Sequence, residues 1–129
     1  MDKVVLDASA LLAMMQSEPG GDRVAALFLD PERTVLVSTL NWSEIFDRLL
    51  RAGVPEVTVE RLLSQIGVQT VDFDLEHAKI AARFRMALPA FSLADRACLA
   101  LAFTRKAEAW TTDKAWTRAK IGVPVEILR

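Results

Sequence analysis

Four acidic residues stand where an apolar run hands over to a helix-like one: Asp7 in "KVVLDASALLA", Glu44 in "STLNWSEIFDRLL", Asp95 in "FSLADRACLALA" and Asp113 in "TTDKAW". Asp7 poses the sharpest question, because an isolated ionised carboxylate at the end of a core strand is costly unless it finds a partner or a metal. Each acid taken alone has an ordinary explanation. Carboxylates are favoured in the first turn of a helix, where they cap free N–H groups and meet the positive end of the dipole. Asn41-x-x-Glu44 and Ser92-x-x-Asp95 even carry the spacing of a capping box. Taken together, four carboxylates in one crevice could not all ionise without a counter-charge. Hard oxygen donors of this kind suit Mg²⁺, or Mn²⁺ in its place, held by one or two carboxylates with waters and substrate phosphates. Such a cation can activate water and neutralise charge on a phosphoryl group.

Other site chemistries find little material. The chain has one cysteine and one histidine, so it can build no internal disulfide and no multi-cysteine zinc site. Cys98, in "ADRACLALA", reads as a small buried apolar residue. His77 lies far from it, and nothing nearby has the look of a nucleophile motif. Among the other acids, Asp74 reads as a solvated N-cap, and Asp47, one turn beyond Glu44, as pointing with Glu44 or pairing with Arg51 four residues on. Arg48, Arg96 and Lys114 lie close to the acidic residues in sequence and are candidate phosphate contacts. Trp42, Trp110 and Trp116, with Phe46, are better read as core or interface than as base-stacking platforms.

The elements that must position these groups alternate. Val4–Leu6, Val35–Val37, Val68–Val71, Ala109–Thr111 and Val125–Leu128 are short, apolar and mostly β-branched, and predict strands. Helical periodicity covers residues 8–16, 22–29, 40–52, 56–66, 75–88, 93–106 and 114–119. Pro19-Gly20-Gly21, Pro31, Gly53-Val54-Pro55, Pro89 and Gly122-Val123-Pro124 punctuate them. Strands with almost no polar alternation, separated by helices, predict a parallel sheet covered on both faces. Ligands of such sheets bind beyond the carboxyl ends of the strands, where the four acids fall. The chain, at 129 residues, reads as one domain over its whole length. No run reaches the roughly 18 apolar residues of a membrane span, and the amino-terminal stretch lacks a signal peptide's charged start, so a cytoplasmic protein is expected.

The four quoted segments, in this order and at these separations, resemble the signature segments of the PIN-domain family, and more narrowly its single-domain VapC-type toxins. The likeness extends over essentially the whole chain. It implies a three-layer α/β/α fold with a central five-stranded parallel sheet, and an Mg²⁺-dependent endoribonuclease belonging to a bacterial toxin–antitoxin pair. Its carried-over acidic site is Asp7, Glu44, Asp95 and Asp113, with Asp7 and Asp95 as direct metal ligands. Ser9 would orient a carboxylate or a metal-bound water, and Thr111 would do similar work from the T-x-D segment. The implied partners are an RNA substrate, a VapB-type antitoxin and a second copy in a homodimer. One departure is Lys114-Ala115-Trp116, where some relatives carry a further acid, which puts a second metal site in doubt.

Net charge is −1, yet residues 66–129 carry ten Lys/Arg against seven Asp/Glu, so the charge balance is neutral on whether a polyanion binds. Two other classes compete. A non-catalytic PIN-like binding module would use the carboxylates only as caps or to bind a partner's arginine. A receiver-like phosphoacceptor domain would share the sheet, but needs an acidic pair after the first strand and a lysine after the fifth. Asp7 is followed by Ala8 and the sequence stops at Arg129, so neither is found.

Overall fold

The computed structural model describes residues 2–129. Five strands, β1 (Lys3–Leu6), β2 (Thr34–Ser38), β3 (Gln69–Val71), β4 (Glu108–Thr111) and β5 (Val125–Ile127), alternate with helices. The helices are α1 (Ala8–Met15), α2 (Gly21–Leu29), α3 (Thr39–Arg51), α4 (Glu56–Ile66), α5 (Leu75–Ala87) and α6 (Leu93–Arg105). The seventh expected helix is a five-residue 3₁₀ turn, Lys114–Arg118. Gly122 and Pro124 lie just beyond it, leaving no length in which an α-helix could propagate.

All strand pairs are parallel, in the order β3-β2-β1-β4-β5. β1 is therefore central, with Val4 opposite Val35 on one side and Glu108 on the other. The strand order excludes the receiver-like reading, whose sheet runs 2-1-3-4-5. Here the order reverses between β1 and β4, so the crevice at the carboxyl ends opens beside Asp7.

Alternation along the strands loads both faces. Val4, Leu6, Val35 and Val37 join the cluster built with α1, α2, α3 and α4. Val5, Leu36 and Ala109 point the other way, into a cluster with α6 and Trp116. Both faces are apolar because both are covered, which makes this a three-layer α/β/α sandwich. α6 is the most enclosed helix: every residue from Arg96 to Ala102 is buried. Its small side chains, Ala97, Cys98, Ala100 and Ala102, let it lie close on β1, β2 and β4 while also touching α3 and α5. That position carries its first turn, with Asp95, over the central strand. All three tryptophans are buried, as is Cys98. No helix is long and apolar enough to cross a membrane among the described residues.

The α1–α2 corner shows how tightly the layer beside the site is closed. Gly20 has φ 91°, and a Cβ at Gly21 would run into the Ala13 carbonyl and lie 2.9 Å from Met14 Cα. Backbone cannot give way as a flexible side chain can. Gly21→Ala is therefore expected to cost about 1–3 kcal/mol, measured as a lower urea midpoint at unchanged m-value; an unaltered midpoint would show that the corner has slack.

Candidate functional site

Asp7 follows β1 and is the N-cap of α1. Its Oδ1 accepts from the Ala10 N–H at 2.9 Å and from Ser9 Oγ at 2.7 Å, and its Oδ2 accepts from Thr111 Oγ1 at 2.5 Å. The hydroxyls are themselves placed by the loop after β4. Ser9 Oγ accepts from the Thr112 N–H at 3.0 Å, and Thr111 Oγ1 from the Asp113 N–H at 3.1 Å. Each hydroxyl has one proton, and both protons are committed to Asp7, so the 3.4 Å Ser9–Thr111 approach is a contact between two acceptors. The network ties the start of α1 to the end of β4. Three of the roughly four lone-pair sites of the Asp7 carboxylate are filled, which leaves room for one direct contact.

No basic side chain among the described residues compensates this charge. Asp7 is 5% exposed, and among the described residues no Lys, Arg or His lies within ion-pair distance of Asp7, Glu44, Asp95 or Asp113. Burial raises the Asp7 carboxyl from 3.8 to about 6, against the hydrogen bonds from Thr111, Ser9 and Ala10, and the negative charge of Asp95 adds to the rise. Asp74 is the instructive contrast. It too caps a helix, accepting from the His77 N–H at 2.9 Å, but it is exposed, and that hydrogen bond lowers its carboxyl below the ordinary value. A cap that only caps looks like Asp74. Asp7 carries a desolvation cost that capping does not require.

The other acids arrive from separate elements. Asp95 lies in the first turn of α6 and closes a reciprocal capping box with Ser92, through bonds of 3.1 Å in each direction. Asp113 caps the 3₁₀ turn through the Ala115 N–H at 2.9 Å. Glu44 differs from both. α3 begins at Thr39 with Ser38 as its N-cap, so Asn41 is inside the helix and the capping box expected at Asn41–Glu44 does not form. Glu44 stands in the second turn, mostly facing solvent, and accepts from Asn41 Nδ2 at 3.3 Å. Partial burial holds its carboxyl above the ordinary range, the Asn41 hydrogen bond opposes, and the charge of Asp95 adds. Burial and the charges of Asp7, Asp95 and Glu44 likewise push the Cys98 thiol up, so it sits beneath the acids and is no nucleophile. Asp7, Glu44 and Asp95 thus share one field; Asp113 is tied to it only by its backbone N–H, which donates to Thr111 Oγ1, while its carboxylate caps the 3₁₀ turn.

Arg96 is a correction. It is buried, and its guanidinium donates to the Ala81 carbonyl at 2.8 Å and the Phe91 carbonyl at 3.4 Å, so it anchors α5 and the α5–α6 loop and is not open to a phosphate. Arg48 is different. Asp47 pairs with Arg51 at 2.7 Å, and Arg48 has no acid within ion-pair distance among the described residues. With Ser9, Glu44 and Asp47 it lines a hollow of about 260 Å³ on one side of Glu44. On the other side Leu40, Leu93 and Ala94 line one of about 410 Å³. An apolar hollow of about 550 Å³ near Trp42, Phe46 and Leu63 holds none of the four acids.

The donor set fits a hard divalent cation. It is all oxygen, it has surplus negative charge, and its innermost member has one free coordination direction. Among the described residues no three acidic, His or Cys side chains gather closely enough to hold an ion by themselves. An ion bound there would be carried by one or two carboxylates and otherwise by water and substrate.

The Asp7 shift has a testable sign. A folded-state value near 6 against 3.8 means that the folded state binds the extra proton between those pH values; the corresponding stability, about 3 kcal/mol, is fully present below pH 3.8 and is lost as pH rises through 6. In chelated buffer, Asp7→Asn is expected to raise stability at pH 7.5 by up to that amount and to flatten the pH dependence of urea unfolding. Equal or lower stability of the variant at pH 7.5 would show that Asp7 is not strained by burial.

Comparison with known proteins places this geometry. The chain superposes on VapBC2 of Rickettsia felis, solved bound to a DNA fragment from its promoter, with TM-score 0.76 and 13% identity over 98% of this chain and 99% of that one. VapBC-5 of Mycobacterium tuberculosis gives 0.66 and 24% identity over 100% and 99%. VapC20 of the same organism, a sarcin–ricin loop cleaving toxin, gives 0.71 and 15% identity over 94% and 98%. Comparison with curated proteins finds no match. At these identities the structural likenesses establish the fold, and the family comes from the sequence: the PIN domain family model matches residues 4–122, a span that includes all four acids. The chain belongs to the PIN-domain family.

Proposed function

We propose that this protein is a Mg²⁺-dependent endoribonuclease, Mn²⁺ serving in its place, and the toxin of a VapBC-type pair. The observation that carries the proposal is Asp7: a carboxylate buried at the switch point of the sheet, raised to about 6, held by three donors and given no counter-charge by any described residue. A fold does not require such a group, whereas a cation centre does.

In this reading Asp7 and Asp95 are the metal ligands. A divalent cation at such a centre supplies charge neutralisation on the phosphate and acidifies a water. The chain's own residues do the rest. Ser9 and Thr111 fix both oxygens of Asp7, so the carboxylate cannot rotate away as charge develops. Glu44 and Asp113 face the substrate side and orient the attacking water; Glu44, with its carboxyl raised, is suited to take the water's proton. Arg48 on α3 and Lys114 beside Asp113 flank the acids and would hold neighbouring phosphates. RNA as the substrate class is supported by the fold shared with VapC20, and a VapB-type antitoxin as partner by the fold shared with VapBC complexes. The reading extends to a homodimer working in the cytoplasm, as the family resemblance of the four sequence segments implies, with residues 1–129 acting as one PIN-like domain.

A non-catalytic PIN-like module is the second reading, favoured by the cap bonds that Asp7, Asp95 and Asp113 each make. Glu44 is the residue it leaves unexplained, since it caps nothing.

Cleavage assays separate the two. Purified protein is expected to cut RNA with Mg²⁺ or Mn²⁺ and to stop in chelator, and Asp7→Asn or Asp95→Asn to lower kcat by about 10²-fold or more, as loss of a principal electrostatic group does. Variants that cut as fast as wild type would contradict the mechanism. Arg48→Ala is expected to raise KM about tenfold with kcat nearly unchanged, because a phosphate contact remote from the reacting bond supplies uniform binding. A fall confined to kcat would move Arg48 into the chemistry.

A further inference from the structure

Asn41 is fully buried inside α3, one turn before Glu44. Both protons of its Nδ2 are used. One goes to Glu44 Oε1 at 3.3 Å and the other to the Ala94 carbonyl at 3.1 Å, on the residue preceding Asp95. Its Oδ1 is equally buried and meets no donor. Turning the amide over gives no relief, because the oxygen would then face two acceptors.

On stability alone this residue is poorly placed. A buried carbonyl left unpaired costs roughly 1–3 kcal/mol, and asparagine is a weak helix former at an interior position. The neighbouring buried positions of α3 are Trp42, Ile45 and Leu49, so an apolar side chain would suit the layer better. What Asn41 supplies is a rigid donor between two helices. Glu44 comes from α3 and Asp95 from α6, and the chain between them is long. A glutamate facing solvent has freely rotating torsions and would not keep a fixed place relative to Asp95 unaided.

We infer that Asn41 is a positioning residue, which locks the Glu44 carboxylate to the first turn of α6 so that Glu44 keeps a fixed place beside Asp95, from which it holds the water of a divalent cation carried by Asp7 and Asp95. Partners of this kind commonly tune metal affinity through the group they orient. The inference rests on the reading of the crevice as a cation centre and adds to it the residue that sets the spacing.

The test uses Asn41→Leu, which keeps the side chain's outline and removes the donors, and Asn41→Thr, which keeps one. Mn²⁺ affinity is read by electron paramagnetic resonance in the wild-type and Glu44→Gln backgrounds, together with melting temperature. Asn41→Leu is expected to weaken Mn²⁺ binding about tenfold in the wild-type background and to add less than about twofold in Glu44→Gln, with Asn41→Thr between. Melting temperature should not fall with affinity. No loss of affinity, or the same loss in both backgrounds, overturns the inference. Metal-free crystals of the folded variants give an independent arm: the Glu44 carboxylate should leave its place in Asn41→Leu, and its staying put also overturns the inference. Wild-type protein that binds no Mn²⁺ would instead sink the cation reading and with it the role assigned to Asn41 towards a metal, while the crystal arm still decides whether Asn41 positions Glu44.

Discussion

The structure turns on a carboxylate that the core strand delivers into a buried place. Asp7 can stand there because three donors converge on it, and those donors are placed by elements distant in sequence: Ala10 and Ser9 by the start of α1, Thr111 by the end of β4. The parallel pairing of β1 with β4 is what brings them together. Remove that register and the hydroxyls no longer meet Asp7. The sheet is thus both scaffold and wiring, and the site inherits its rigidity from the three central strands β2, β1 and β4, in which nearly every side chain is buried.

Hydrogen bonds to Asp7 favour its charge and burial opposes it; burial wins, so the group rests partly uncompensated. The same imbalance recurs in milder form at Glu44, and as an orphan oxygen at Asn41. Three local departures from the most stable arrangement occur on residues of one crevice, beside unpaired buried polar groups elsewhere on Arg33, His77 and Trp116. Proteins keep such departures where function needs them, because selection for stability alone would remove them.

Much of this was legible in the sequence. The strands and helices could be read because proline or glycine follows nearly every helix and because the central strands β1 and β2, covered on both faces, are mostly apolar runs. Asp7 could be picked out since its charge contradicts the run it ends. Two local readings failed for reasons of geometry. Asn41 looked like a cap because Ser38, which ends β2, also begins α3, and a strand residue that doubles as an N-cap leaves no gap in the pattern. Arg96 looked like a phosphate contact through its adjacency to Asp95, but a helix turns about 100° per residue, which carries position 96 inward to the α5 carbonyls. The meeting of Glu44 with Asp95 was not readable from spacing, because it depends on how α3 packs on α6. Family resemblance supplied that grouping, and the chain's own pattern did not.

The central claim is that the crevice at the carboxyl end of β1 is a cation centre, with Asp7 as its fixed member. Anomalous diffraction from Mn²⁺-soaked crystals tests it most directly. The account predicts a single strong peak in the crevice bonded to Asp7 and Asp95, completed by waters, and its disappearance in Asp7→Asn crystals. A crevice without a peak, or a peak that survives Asp7→Asn unchanged, would contradict it.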